Sequence, residues 1–259
     1  MNFDDGSAGD ANYAQIGQGY ARYRRPEPAI AARIAAALGD AKTVLNVGAG
    51  AGSYEPLDRE VTAVEPSATM RAQRPSRLSP AIAASSEDLP FADNSFDASM
   101  ATFTVHQWQD LAQGLAEMRR VTRGPVVILS CDPALLGRFW LIDYAVKVIE
   151  TEASRYPAPD RVAELLGGAR IEAVPIPLGC TDGFGEAYYG RPEMLLDEGA
   201  RQANSAWSFL SEVEAASAVA ALRTDLESGR WDELYGELRN QPFFDGSLVL
   251  IVSEPNTLN

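Results

Sequence analysis

Residues 44–52, Val-Leu-Asn-Val-Gly-Ala-Gly-Ala-Gly, pass from an apolar run into three glycines at alternate positions, and Val61-Thr62-Ala63-Val64-Glu65 follows closely. A buried strand ending in glycines brings bare backbone amides up to a ligand. An acid closing the next strand can accept two hydrogen bonds from a ribose diol. The pair of segments predicts strands over 43–47 and 60–64 and a nucleoside-bearing ligand in the first third of the chain.

Later segments extend that pattern. A short third strand is predicted at Ile82–Ala84, a fourth through 95–101 and a fifth, continuously apolar, over Pro125–Ser130. Helical spacing covers Ala29–Leu38 and Asp110–Val121. Continuous apolar strands alternating with helices indicate a parallel sheet covered on both faces. Beyond Cys131 the spacing predicts helices over 135–152, 160–166, 193–201, 211–227 and 231–239. It places strands at 171–176 and 246–253.

The 36 acids outnumber the 22 Lys and Arg, for a net charge of −14. With no basic block, the chain is a poor match for nucleic acid or an anionic membrane, both of which demand cationic contacts. No apolar stretch approaches the roughly 20 residues that span a bilayer. The amino-terminal residues do not have the pattern of a signal peptide, so a soluble, cytoplasmic protein is expected. Cys131 and Cys180 read as buried thiols. With one histidine besides, no metal cluster is expected.

The glycines do not fit the nicotinamide fingerprint G-x-G-x-x-G. Gly52 comes one residue early and Ser53 holds the third glycine's place. The link to the next strand is short and contains Pro56, which puts in doubt the helix that usually follows such a turn. No Gly-Lys-Ser/Thr follows, so a phosphate-binding loop of that class is excluded.

Four ordered segments carry a resemblance. Residues 44–52 resemble the first motif of class I S-adenosylmethionine-dependent methyltransferases, and Glu65-Pro66-Ser67-Ala68-Thr69-Met70 resembles their second. Ser86-Glu87-Asp88-Leu89-Pro90-Phe91-Ala92-Asp93-Asn94-Ser95-Phe96-Asp97 is similar to their "A-E-D-L-P-F-x-D-x-S-F-D" segment. Residues 117–125 are similar to "E-x-x-R-V-L-K-P-G-G". Asn46 and Ser85 stand where the family often has Asp.

The resemblance implies a Rossmann-like α/β fold. The sheet would be doubly wound and seven-stranded, mostly parallel with an antiparallel last strand, and would carry a helical cap. One domain would span 1–259, with an amino-terminal lid over 1–28, a cofactor core over 40–132 and the cap over 180–241. The cofactor would be S-adenosyl-L-methionine, with S-adenosyl-L-homocysteine as product. Gly48, Ala49, Gly50 and Gly52 would lie against the amino-acid end and ribose. Glu65 would hold the diol, with Pro66 and Met70 on the adenine faces, Ser86 and Glu87 at its edge and Thr102 near the methionine portion. Tyr20 and Arg24 (or Arg25) belong to the "Y-x-x-Y-R-x-x-x-P" lead-in that folds over the cofactor, where an arginine could meet a carboxylate bidentately.

A methyl sulfonium is already electrophilic, so the protein's task is alignment, water exclusion and, where needed, proton removal. His106 lies just past the fourth strand, at the sheet edge that faces the ligand crevice, and is the candidate general base. The alternative is a hydrogen-bonded loop histidine that orders Trp108. Trp108, Tyr188 and Tyr189 are expected to touch a small-molecule acceptor, which would be methylated on oxygen, nitrogen or carbon. Two rivals stand beside methyl transfer: a relative that binds the cofactor without transferring methyl, and a nicotinamide-dependent oxidoreductase.

Overall fold

The computed structural model describes residues 20–255, with side chains from Arg22 onward. Most of the lid segment, residues 1–19, and the Tyr20 side chain lie outside the described residues, as do residues 256–259.

Five strands follow the buried apolar runs: β1 (Thr43–Val47), β2 (Glu60–Val64), β3 (Ala98–Thr102), β4 (Val126–Cys131) and, last in the chain, β8 (Leu248–Ser253). The edge strand β5 (Arg170–Ala173) completes a six-stranded sheet of order β2-β1-β3-β4-β8-β5. β1 pairs in parallel with β2 and β3, and β3 with β4. β8 runs antiparallel to both of its neighbours, β4 and β5.

The seventh expected strand is a correction. Ile82 makes a single parallel bridge to Val64, its amide donating to Ala63 O and its carbonyl accepting from Glu65 N. Pro80 lacks an amide to extend that ladder upstream. Downstream, the Ala84 amide turns back onto Ile82 O. Pro175 likewise divides the expected strand 171–176. β5 ends at Ala173, and Ile176–Pro177 (β6) pairs instead with Phe243–Phe244 (β7) in a separate two-stranded sheet.

Side chains alternate across the sheet with a period of two. Val127, Leu129, Leu248, Leu250 and Val252 enter one core with Ile30 and Ile34 of α2 (Pro28–Ala37). Val126, Ile128, Val249 and Ile251 enter the other, against Leu115, Met118 and Val121 of α4 (Leu111–Val121) and Val162 of α6 (Pro159–Leu165). α1 (Tyr20–Tyr23) and α3 (Ala68–Ala72) are short helices in the first half of the chain. Two of the longer helices start at a chemical stop. Glu27 accepts from Ala29 N ahead of Pro28 at the first position of α2, and Asp110 accepts from Gln113 N at the start of α4.

The cap covers the first face only. The helix expected over 135–152 is instead two 3-10 turns, Leu136–Arg138 and Trp140–Asp143, before α5 (Val146–Arg155). Phe139, Trp140 and Leu141 are consecutive and all buried. On one α-helix they would span about 200° and could not share a face. α7 (Glu198–Gln202), α8 (Glu212–Ser228) and α9 (Arg230–Tyr235) complete the cap. A Ser211–Glu214 capping box opens α8, and Gly229 closes it at φ 83°. Among the described residues no helix is long and apolar enough to cross a membrane.

Candidate functional site

The parallel strands bring their carboxyl ends to one edge, so Gly48 after β1, Glu65 after β2 and Thr102–Phe103 at the end of β3 converge there. They line a cleft of about 860 Å³, its open mouth included. As the short link suggests, no helix follows β1: residues 51–59 are turns and bends. Gly48 and Gly50 sit at φ 68° and 52°, where a side chain is strained. A Cβ at Gly48 would collide with the Thr104 side chain, and one at Gly50 would press on Met70 at 3.3 Å. Gly52, at φ 93°, is not on the cleft wall; its missing side chain leaves room for Leu78.

Glu65 is buried, and its two oxygens accept from Gly50 N and Ser67 N, both at 2.8 Å. Burial pushes its carboxyl above the ordinary value, against the two amide bonds that favour the charged form. Each oxygen keeps a further lone pair for a ligand. Behind the turn, Arg74 clamps Glu55 with two bonds of 2.8 and 2.9 Å in a fully buried pair, and the Asn46 side-chain amide donates to the same carboxylate at 3.0 Å. Asn46, at the position where the family often has Asp, therefore anchors the turn from beneath.

The far wall holds Ser86, Glu87 and Trp108. Glu87 Oε1 accepts from Gln109 N at 2.9 Å and Asp110 N at 3.2 Å, tying this wall to the start of α4. Gly114 lets Trp108 lie flat on α4, since a Cβ there would stand 2.6 Å from the indole and 3.1 Å from Ser86 Oγ. Gly114→Ala should gain about 1 kcal/mol of helix propensity but cost about 1–3 kcal/mol of overpacking. A lower melting temperature with altered Trp108 fluorescence is the expected result, and unchanged values of both would show that the ring tolerates the methyl group.

Gln107 was not among the expected site residues. It is 6% exposed, lines the cleft, and neither its Nε2 nor its Oε1 has a partner. An orphaned buried amide on a cleft wall is free to bond a polar ligand or an ordered water there. Its only sequence signal was its place beside His106.

Arg24 and Phe103 line this cleft and also a second cavity of about 790 Å³, its open mouth included. Phe103 holds φ 52° although it is not glycine, a strain concentrated where the two spaces meet. The Arg24 guanidinium lies over the Phe103 ring at 5.2 Å, and its Nε donates to Asp182 Oδ1 at 2.5 Å. Asp182 Oδ2 accepts from the Tyr54 hydroxyl at 2.8 Å, and Glu27 Oε2 accepts from Thr181 N at 2.8 Å. The amino-terminal strand of chain is thus fastened to the 181–183 loop. Of the two candidate arginines, Arg24 is at the site and Arg25 is exposed.

His106 lines the second cavity, not the first, and its ring lies 4.2 Å from that of Tyr156. Burial, reinforced by Arg155 and Arg24, holds the imidazole well below its ordinary pKa, so it is neutral at pH 7. Its Nδ1 is buried and has no partner. Phe139, Leu141, Val148, Phe184 and Trp207 form apolar walls, and Glu152 and Glu186 add carboxylates. Tyr188 and Tyr189 line neither space. Tyr189 is fully buried, stacks on Phe244 at 5.0 Å and donates to Gln241 O at 2.6 Å. Trp108 faces the first cleft. Cys131 and Cys180 are free buried thiols.

Comparison with known proteins agrees with this geometry. Residues 45–128 match the methyltransferase domain family. The chain is similar to a putative methyltransferase from an antibiotic biosynthesis pathway of Anabaena variabilis ATCC 29413. The two are 27% identical with a TM-score of 0.84, over 90% of this chain and 99% of that one. The fold is also that of geranyl diphosphate C-methyltransferase from Streptomyces coelicolor A3(2), at 16% identity and TM-score 0.51, over 98% and 92% of the two chains. A phosphoethanolamine N-methyltransferase of Haemonchus contortus shares it at 15% identity and TM-score 0.54, over 94% and 57%. A search of the curated proteins finds no match.

Proposed function

We propose that this chain, a class I S-adenosylmethionine-dependent methyltransferase, methylates a small organic acceptor held in the second cavity. The observation that carries the reading is the shared boundary. Arg24 and Phe103 belong to both spaces, so a donor in the first cleft and an acceptor in the second would meet across that pair.

The residues present fit the cofactor. Glu65 has lone pairs for two ribose hydroxyls, and glycines at 48 and 50 let Thr104 and Met70 close against bare backbone at the cleft wall. Pro66 and Met70 supply apolar faces for a purine, and Ser86, Glu87 and Trp108 its edge and far side. Thr102, Arg24 and the orphaned Gln107 amide are placed for the amino-acid portion. The bound sulfonium supplies an electrophilic methyl group, and the protein's part is to align the acceptor with it and keep water out. The apolar walls of the second cavity perform the exclusion.

His106 offers a neutral Nδ1 with no internal partner to a proton-bearing nucleophile. Its lowered basicity suits it to orient that group by accepting a hydrogen bond, more than to carry the proton away. Tyr188 and Tyr189 pack the cap that encloses the acceptor, so contact with it falls to Phe103, His106, Tyr156 and Trp207.

Calorimetry tests the assignment. S-adenosylhomocysteine should bind once per chain and NADH should not. The reverse result would return the glycine turn to dinucleotide chemistry. Binding of S-adenosylhomocysteine, with no label passing from methyl-tritiated S-adenosylmethionine to any acceptor across a broad small-molecule panel, would leave a cofactor-binding relative that transfers nothing.

A further inference from the structure

Glu186 is 3% exposed and lines the second cavity, yet its hydrogen-bond donors among the described residues are only Ser247 N and Ser247 Oγ. No Lys or Arg of the described residues reaches ion-pair distance of it. Arg24, the one cationic side chain on that wall, is bound to Asp182. Glu152, on the same wall, lies 3.9 Å from Arg155, whose Nη1 also donates to Ser205 Oγ. Gly246 stands beside the Glu186 carboxylate where a side chain would collide with Oε1. The carboxylate is thus fitted into the wall and left without a counter-ion.

A buried charge with no partner is costly, and removal of its cost requires either a proton or a cation. Burial pushes the Glu186 carboxyl up to about 7 against the two Ser247 donors, so only part of it is ionised at pH 7 and a bound cation would favour the charged form. Phe139, Phe184, Tyr156 and Trp207 line the same cavity, and aromatic faces attract cations. His106, neutral on the same lining, adds no opposing charge. The net charge of −14 draws cations toward the molecule.

We propose that the acceptor carries a basic nitrogen, protonated in solution, and that the Glu186 carboxylate in the second cavity binds it as its counter-ion. The substrate class is therefore an amine with an apolar or aromatic body. This rests on the reading of the second cavity as the acceptor compartment.

The test uses the full chain saturated with S-adenosylhomocysteine and three probes of matched shape: phenethylamine, 2-phenylethanol and 3-phenylpropionate. Dissociation constants are read by ligand-observed NMR titration at pH 7. Phenethylamine should bind at least tenfold tighter than the alcohol, and the carboxylate weakest. Glu186→Gln keeps an oxygen for Ser247 and should erase the amine's advantage, with the alcohol within twofold of wild type. Should that variant fail to fold, Glu152→Gln serves: loss of a nearby negative charge should weaken the amine selectively, though less.

Equal binding of amine and alcohol, an amine preference that survives Glu186→Gln, tightest binding of the carboxylate, or no binding of any probe would each overturn the proposal. Failure to bind S-adenosylhomocysteine at all would instead overturn the reading of the first cleft. The two failures are therefore distinguishable.

Discussion

Replacing Glu65 with alanine is expected to weaken S-adenosylhomocysteine binding at least a hundredfold. Each hydrogen bond to a charged acceptor contributes about 1.5–3 kcal/mol, so two ribose hydroxyls together would account for about 3–6 kcal/mol. At about 1.4 kcal/mol per tenfold, that corresponds to roughly two to four decades in affinity. The Gly50 and Ser67 amides also lose the oxygens that now fix the turn. Glu65→Gln retains one acceptor and should fall between alanine and wild type. Calorimetry measures all three proteins, and a loss below tenfold for alanine would remove Glu65 from the ribose.

The largest effect on stability is expected at Asp182. Its carboxylate joins Arg24, whose side chain is 12% exposed, and its own side chain is 3% exposed. Removing one partner of a buried ion pair costs about 3–5 kcal/mol, because the other charge stays behind in a poorly solvated place. Asp182→Ala also strips the acceptor from the Tyr54 hydroxyl, whose deprotonation burial already strongly opposes. Chemical denaturation should show the loss. Glu164→Ala is the control, since its pair with Arg161 is exposed on both sides and should contribute little. If the two variants were equally mild, Asp182 would not be the fastening point of the amino-terminal segment.

The strands were readable because burial on both faces writes an uninterrupted apolar run. β1, β4 and β8 fall where those runs lie, while β2, at the sheet edge, is buried only toward Ala63 and Val64. Ile82 misled because an apolar triplet says nothing of the amides that a neighbouring proline withholds. The first cleft was equally readable: a glycine at positive φ and an acid at a strand end are local requirements, written within a few residues. The second cavity was not. Tyr188 and Tyr189 sit among glycines, which suggested a loop open to ligand. The structure gives those glycines another purpose, since a side chain at Gly183 would strike the Tyr188 hydroxyl and one at Gly190 the Leu238 carbonyl. They make room for packed rings. Glu186 carried no signal because its partner, Ser247, lies 61 residues on and meets it only through the fold.

Arg24 and Phe103 separate two spaces with a single cation–aromatic pair. Neither ligand can displace that pair without the other ligand meeting the result. Thermodynamic linkage then fixes a symmetry: whatever factor S-adenosylhomocysteine contributes to acceptor affinity, the acceptor returns to S-adenosylhomocysteine. A ligand in one space that moves this pair would therefore change what a ligand in the other meets.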